Sequence, residues 1–127
     1  MGGPARGAAT LELAVTIPTV LFLVLLVIQF ALWQHAGHVV TAAAQEAVSS
    51  AQAEDGSGAV GERAGRALLA AAGSGLVDGQ SVVVTRTGSS VRAVVRGRAV
   101  VVVPGFALPV TGVAEGPVER FVAVTER

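Results

Sequence analysis

Residues 13–28 are apolar at every position except Thr16, Pro18 and Thr19, and beyond Gln29 the run resumes through Trp33. About 20 residues of α-helix, each rising 1.5 Å, cross a hydrocarbon layer of roughly 30 Å, so this run is long enough to span a bilayer. A secretory signal has only about 7–15 apolar residues and a small-residue cleavage site close behind them. The nearest such site, "TAAAQ" with Ala42 and Ala44, lies well past the run. Cleavage there stays open but is poorly placed. Arg6 and the α-amino group precede the span, and no Arg or Lys follows it before Arg63. The excess of positive charge on the first flank puts the N-terminus in the cytoplasm and everything after Trp33 outside, a single pass through the cytoplasmic membrane. Trp33 stands where an interfacial aromatic anchors the outer end. Pro18 removes one helical hydrogen bond and is expected to bend the helix, which is tolerated in a membrane when neighbours satisfy the freed carbonyl.

The helical pattern continues outside the span. In "QHAGHVVTAAAQEAVSSAQAE", Val40, Ala44, Ala47 and Ala51 fall on one face, and Thr41, Gln45, Ser49 and Gln52 on another. The apolar face is made of small residues, which admit close approach of a second helix but give little burial to an isolated one. A single helix of about 70 Å from Ala8 to about Glu54 is expected. "DGSG" at 55–58 breaks it. "AVGERAGRALLAAAG" then reads as a shorter helix, burying Val60, Ala64, Ala67, Leu68 and Ala71 and ending near Gly73.

The Val-rich runs "SVVVTRT" and "VRAVVRGRAVVVV" follow, joined by "GSS", the pattern of a β-hairpin with a three-residue loop. Strand parity gives Arg92, Arg96 and Arg98 one face and leaves Val91, Ala93, Val95 and Val101 on the other. Pro104 and Gly105 end the second strand, and a short third strand is expected around 110–114, followed by an irregular tail. The fold class is therefore α+β: a long N-terminal helix, a short second helix and an antiparallel sheet of two to three strands. Apart from Trp33, only Phe106 and Phe121 are available as aromatic filling for a core outside the membrane.

Nine Arg, no Lys and nine acidic residues give a formal net charge of zero, with no basic run to track phosphates, so no nucleic-acid partner is expected. The absence of Cys excludes disulfides, thiolate metal sites and Cys nucleophiles. His35 and His38, three apart on a helix, have metal-ligand spacing, but no further ligand follows at a suitable interval, and they read as interfacial or structural. Gly61 and Gly65 form a GxxxG whose charged interior and position outside the lipid argue against a membrane-dimer motif. The Arg92, Arg96 and Arg98 face reads as a solvated strand face. No Ser or Thr lies in a nucleophile motif. The chain is expected to be no enzyme and to need no cofactor or metal.

Glu12 remains to be explained. An ionisable group inside a membrane helix costs up to about 2.5–3.5 kcal/mol at the centre and less at the edge, so it calls for a partner or a role. Here a short leader with one Arg ends in Gly7, "AATL" follows, then Glu12, and the apolar run begins at once. This arrangement resembles the class III signal of type IV pilins and pseudopilins. The closer resemblance, on Gly7, Glu12, Pro18, Gln29 and Phe30 in the opening segment, on "HAGHVVTAAAQEA" and on "LPVTGVAEGPVERF", is to the TadE-like proteins of the tight-adherence (Flp) pilus system. Where many members read "AAREGA", this chain has Gln45, Ala47 and Val48.

The resemblance implies a pseudopilin or minor pilin for which Gly7 is the residue before the cut of a prepilin peptidase, Ala8 the new N-terminus and Glu12 the fifth residue of the mature chain. The implied organisation is a leader over 1–7, a transmembrane helix over 8–33, its extracytoplasmic continuation over 34–54 and a small α+β domain over 55–127. The implied partners are the peptidase, other pseudopilins, an assembly ATPase with its inner-membrane platform, and membrane lipid. Cleavage would create an α-ammonium at Ala8, four residues before a carboxylate that the helix dipole favours. In a filament the carboxylate of one subunit can neutralise the ammonium of the next, so that neither charge is left unpaired in an apolar core. An uncleaved single-pass envelope anchor is the alternative; in that case Gly7 and Glu12 are dispensable.

Overall fold

The computed structural model describes residues 4–53 and 55–119. Helix α1 spans Pro4–Gln52, 49 residues or about 73 Å at 1.5 Å per residue. It begins four residues before the expected start, with Pro4 in the first position, where its missing N–H leaves no intrahelical bond unmade. Glu54, the expected end, lies outside the described residues. The helix runs through Pro18. Thr10, Thr19 and Thr41 turn their hydroxyls back to the carbonyls of Arg6, Val15 and Gly37, so these three hydroxyls are satisfied within the helix itself.

Helix α2, Gly58–Ala72, folds back antiparallel on the distal half of α1. Ser57 caps its start by accepting from the Val60 N–H, and the Gly73 N–H closes its end on the Leu69 carbonyl. The two helices approach through small residues. A Cβ on Gly61 would lie 2.6 Å from the Ala47 carbonyl oxygen and 2.9 Å from the Ala51 Cβ, and one on Gly65 would lie 3.3 Å from the Ala43 carbonyl oxygen. The buried line of α2 is accordingly Gly61, Gly65 and Leu69. This corrects the expected phase: Ala67 and Ala71 are exposed, and Val60, Ala64 and Leu68 are only half-buried. Hydrophobicity points to the alanines, but shape decides, because only the glycine line lets two backbones come this close.

Strands β1 (Val77–Arg86), β2 (Ser90–Ala99) and β3 (Pro109–Pro117) form an antiparallel sheet in the order β1-β2-β3. The β1–β2 loop is Thr87, Gly88 and Ser89, one residue earlier than expected, because Thr87 closes it by pairing its N–H with the Ser90 carbonyl and accepting the Ser90 N–H on its hydroxyl. β1 begins at Val77, four residues before the alternating pattern starts. A bulge between Asp78 and Ser81, with Gly79 at φ +60°, resets the parity so that Val77 and Val82 both face inward. β2 stops at Ala99, not at Pro104, and Val101, expected inward, is exposed in the loop that follows. β3 is longer than expected at both ends. Arg92, Arg96 and Arg98 share the exposed face, while Val91, Ala93 and Val95 are buried, as their parity implies.

The core lies between α1 and the inner sheet face and is built of Ala and Val with one Leu, Leu69. Phe106 is not part of it, being 40% exposed, and Phe121 lies outside the described residues. β3 runs in the same direction as α1: Pro109 lies by Trp33, Gly112 by Val40, Gly116 by Val48 and Gln52. A Cβ on Gly112 would overlap the carbonyl group of Val40, so the strand backbone rests directly on the helix backbone. On β1, the Glu62 carboxylate accepts the N–H of Val84, and Arg86 donates to the carbonyls of Ala53 and Gly56, tying the interhelical turn to the sheet.

Gly112→Val is expected to destabilise the domain by about 3 kcal/mol or more, since the backbone it would strike cannot give way. Gly37→Ala, where nothing lies within 4 Å of the added methyl, should be neutral or stabilising by up to about 1 kcal/mol. Thermal unfolding of the full chain in detergent reads both; equal stability of the two variants would contradict the close strand-on-helix packing.

Candidate functional site

Three zones follow one another along α1. Residues 5–25 are exposed throughout, with large side chains such as Leu11 at 67% and Leu13 at 59%, and no other element covers them. Gly7 and Glu12 lie at the head of this bare zone. Nothing approaches within 4 Å of a Cβ built on Gly7. Glu12 is exposed, and among the described residues it takes part in no ion pair and no side-chain hydrogen bond. Gly7 and Ala8 are helical, so a protease that cuts between them must first unwind this turn; a glycine within a terminal turn lowers that cost by about 1 kcal/mol relative to alanine. Ala8 and Glu12 are one turn apart on the same helix face.

The second zone is the junction, where the folded domain first touches the helix. Gln29 is only 2% exposed and is the buried polar residue of the apolar run. Its Nε2 donates to the Val100 carbonyl at 3.0 Å, and its Oε1 accepts the N–H groups of Val102 at 2.7 Å and Val103 at 3.1 Å. This is why β2 ends early. Beyond Ala99 the chain leaves the sheet, and a side-chain amide from α1 supplies the partners that a neighbouring strand would otherwise give. One turn further on, Trp33 packs against the core and its Nε1 donates to the Pro109 carbonyl at 3.2 Å, pinning the start of β3; the Phe30 ring stands 5.8 Å from it. In the sequence Gln29 interrupts an apolar run and is one of the residues that carry the family resemblance, but nothing local marks a partner more than 70 positions away.

The third zone is the small-residue face. Ala36, Val39, Val40, Ala43, Ala44, Ala47, Val48 and Ala51 are buried against α2 and the sheet. The predicted face of Val40, Ala44, Ala47 and Ala51 is present and wider than expected, and Thr41, Gln45 and Ser49 are exposed opposite it. His35 and His38 are both exposed, and no group of three His, Cys, Asp or Glu able to hold a metal ion occurs among the described residues. Arg92 meets Glu115 at 3.4 Å across β2 and β3; both side chains are more than half exposed, so the pair adds little stability.

α1 is thus a long helix, bare over its N-terminal half, that carries Gly7, Glu12, Gln29 and a small-residue face in order. Residues 7–49 match the family model described as TadE-like protein. No match was found among curated proteins or solved structures. The matched segment lies wholly within α1 and reaches into all three zones, from Gly7 to just beyond Val48. The match covers about a third of the chain, and among the described residues one helix, α1, is long and apolar enough to cross a membrane.

Gln29→Leu is expected to leave two N–H groups and one carbonyl unpaired at the head of the 100–108 loop. At about 1–3 kcal/mol for each group that stays dry, the junction should lose roughly 2 kcal/mol or more. Hydrogen exchange at the Val102 and Val103 amides should then speed up at least tenfold, the equivalent of about 1.4 kcal/mol. Unchanged protection in the variant would contradict the role given to Gln29.

Proposed function

We propose that this chain is a TadE-like pseudopilin or minor pilin that takes part in assembling a tight-adherence type IV pilus. In this reading the N-terminus starts in the cytoplasm, a prepilin peptidase cuts after Gly7, and α1 holds the subunit in the membrane until assembly machinery draws it out. The observation that carries the proposal is the pairing of Gly7 and Glu12 at the head of a bare apolar helix, inside the segment that matches the TadE-like family.

Two environments can cover a bare helix of this length: lipid, or the helices of other subunits. In lipid, Glu12 sits at the cytoplasmic edge, where water solvates it. Among packed helices it needs a counter-charge, and the α-ammonium created at Ala8 of a neighbouring subunit supplies one of matching size at nearly the same height. The carboxylate thereby sets the axial register of one subunit on the next. Because α1 is also the floor of the folded domain, moving the helix moves the domain with it, and the domain remains outside the bundle as the displayed surface. The proposed partners are the peptidase, related pseudopilins and the assembly machinery, with membrane lipid as the resting environment.

Glu12→Gln tests this directly. It is nearly isosteric and less polar, so insertion and cleavage should persist. Removing one partner of a buried ion pair costs roughly 3–5 kcal/mol, so crosslinking to co-expressed pseudopilins should fall by about a hundredfold or more. A Gln variant that inserts, is processed and crosslinks normally would contradict the proposal and favour the uncleaved anchor.

A further inference from the structure

The loop after β2 departs from the pattern of a solvent-exposed turn. From 99 to 114 the chain has no charged residue, and between β2 and β3 it exposes Val101 at 46%, Val102 at 38% and Phe106 at 40%. The loop is also fixed in place: Val100, Val102 and Val103 are bound to Gln29, and the Ala99 N–H donates to the Leu108 carbonyl, closing its base. The opposite end of the sheet differs, with the polar Thr87-Gly88-Ser89 hairpin and the Arg92–Glu115 pair.

Position along α1 gives this contrast a meaning. Glu12 and Gln29 are seventeen helical steps apart, about 26 Å, against a hydrocarbon layer of roughly 30 Å. With Glu12 at one face of the bilayer, Gln29 and everything bound to it stand at the opposite face. Phe30 and Trp33 stand on α1 beside this level, and Phe106 belongs to the loop tied to Gln29, its N–H donating to the Val103 carbonyl; these are three of the five aromatic residues of the chain. Aromatic and apolar side chains gathered beside the end of a span, with the nearest charges at Arg98 and Asp78 on the neighbouring strand ends, are the composition of an interfacial membrane contact.

We propose that the loop over 100–108 is a second membrane-contacting element, its Val101, Val102 and Phe106 side chains seated among the lipid headgroups and first acyl carbons of the outer face. The occupant is the lipid surface, because the loop is continuous, through Gln29, with the one segment that the membrane must cover. The element gives the domain a fixed height and tilt on the bilayer, and drawing the subunit out of the membrane requires lifting the loop as well as the helix. The proposal rests on the reading of α1 as a membrane span.

The chain has no Cys, so single labelling sites can be placed freely. The full chain is reconstituted in phosphatidylcholine–phosphatidylglycerol vesicles with an environment-sensitive fluorophore on Val102→Cys or Phe106→Cys. Val20→Cys serves as the in-span control and Ser89→Cys as the far-end control. The expected result is blue-shifted emission at 102 and 106, quenched by lipids with a nitroxide near the headgroup at least about twofold more than the label at 89. Water-like emission without quenching at 102 and 106, while the label at 20 is quenched by deep nitroxides, would overturn the loop contact and leave the span intact. An unquenched label at 20 would overturn the span and the loop contact together. Blue-shifted emission that lipid nitroxides do not quench, and that is lost on dilution into more lipid, would assign the loop to a second copy of the chain and overturn the lipid assignment.

Discussion

The structure depends on how close a backbone can come to the distal half of α1. Alanines at 36, 43, 44, 47 and 51 keep that surface low, and glycines on the opposing elements, Gly61 and Gly65 on α2 and Gly112 on β3, remove what would otherwise hold them away. A core this poor in large side chains gains little from each buried residue, about 25 cal/mol per Å² of apolar surface. It compensates by density, since two backbones in direct contact bring many atom pairs to favourable separation with no side-chain entropy to lose. The same feature makes it intolerant, because an added methyl at Gly61 or Gly112 meets main chain and cannot be absorbed by a rotamer change.

From this follows a coupling between the two halves of the molecule. α1 is at once the apolar rod and the floor of the domain, with no hinge between those roles, and the Gln29 amide locks the sheet to the rod where the bare zone ends. The orientation of the domain therefore follows that of the helix segment it is bound to. In the function proposed above, this coupling suits a part that must be placed in register beside others.

Much of the architecture is legible in the sequence because it rests on periodicity. The length of α1, its alanine face, the hairpin and the parity of Arg92, Arg96 and Arg98 all follow from spacings of 3.6 or 2. What could not be read depends on shape or on distant pairing. Glycine carries no hydrophobic signal, so hydrophobic periodicity assigns the buried line of α2 to Val60, Ala64, Ala67, Leu68 and Ala71 rather than to Gly61, Gly65 and Leu69. The bulge at Gly79 hid the start of β1, and the valines at 100–103 have strand composition but are held as a loop by a residue more than 70 positions earlier. Gly7 and Glu12 stand out as a linear spacing that the fold does not use, since the chain leaves both residues exposed; in the function proposed above they are read by partners outside the fold.

In the function proposed above, the bare helix reaches its partners after a cut beside Gly7. The N-terminal residue of the mature protein tests it most directly, determined by mass spectrometry after expression with and without a prepilin peptidase. The account predicts a chain beginning at Ala8 when the peptidase is present and only the uncut chain when it is not. A start at Met1 or Gly2 in both samples, or one near Gln45, would contradict it.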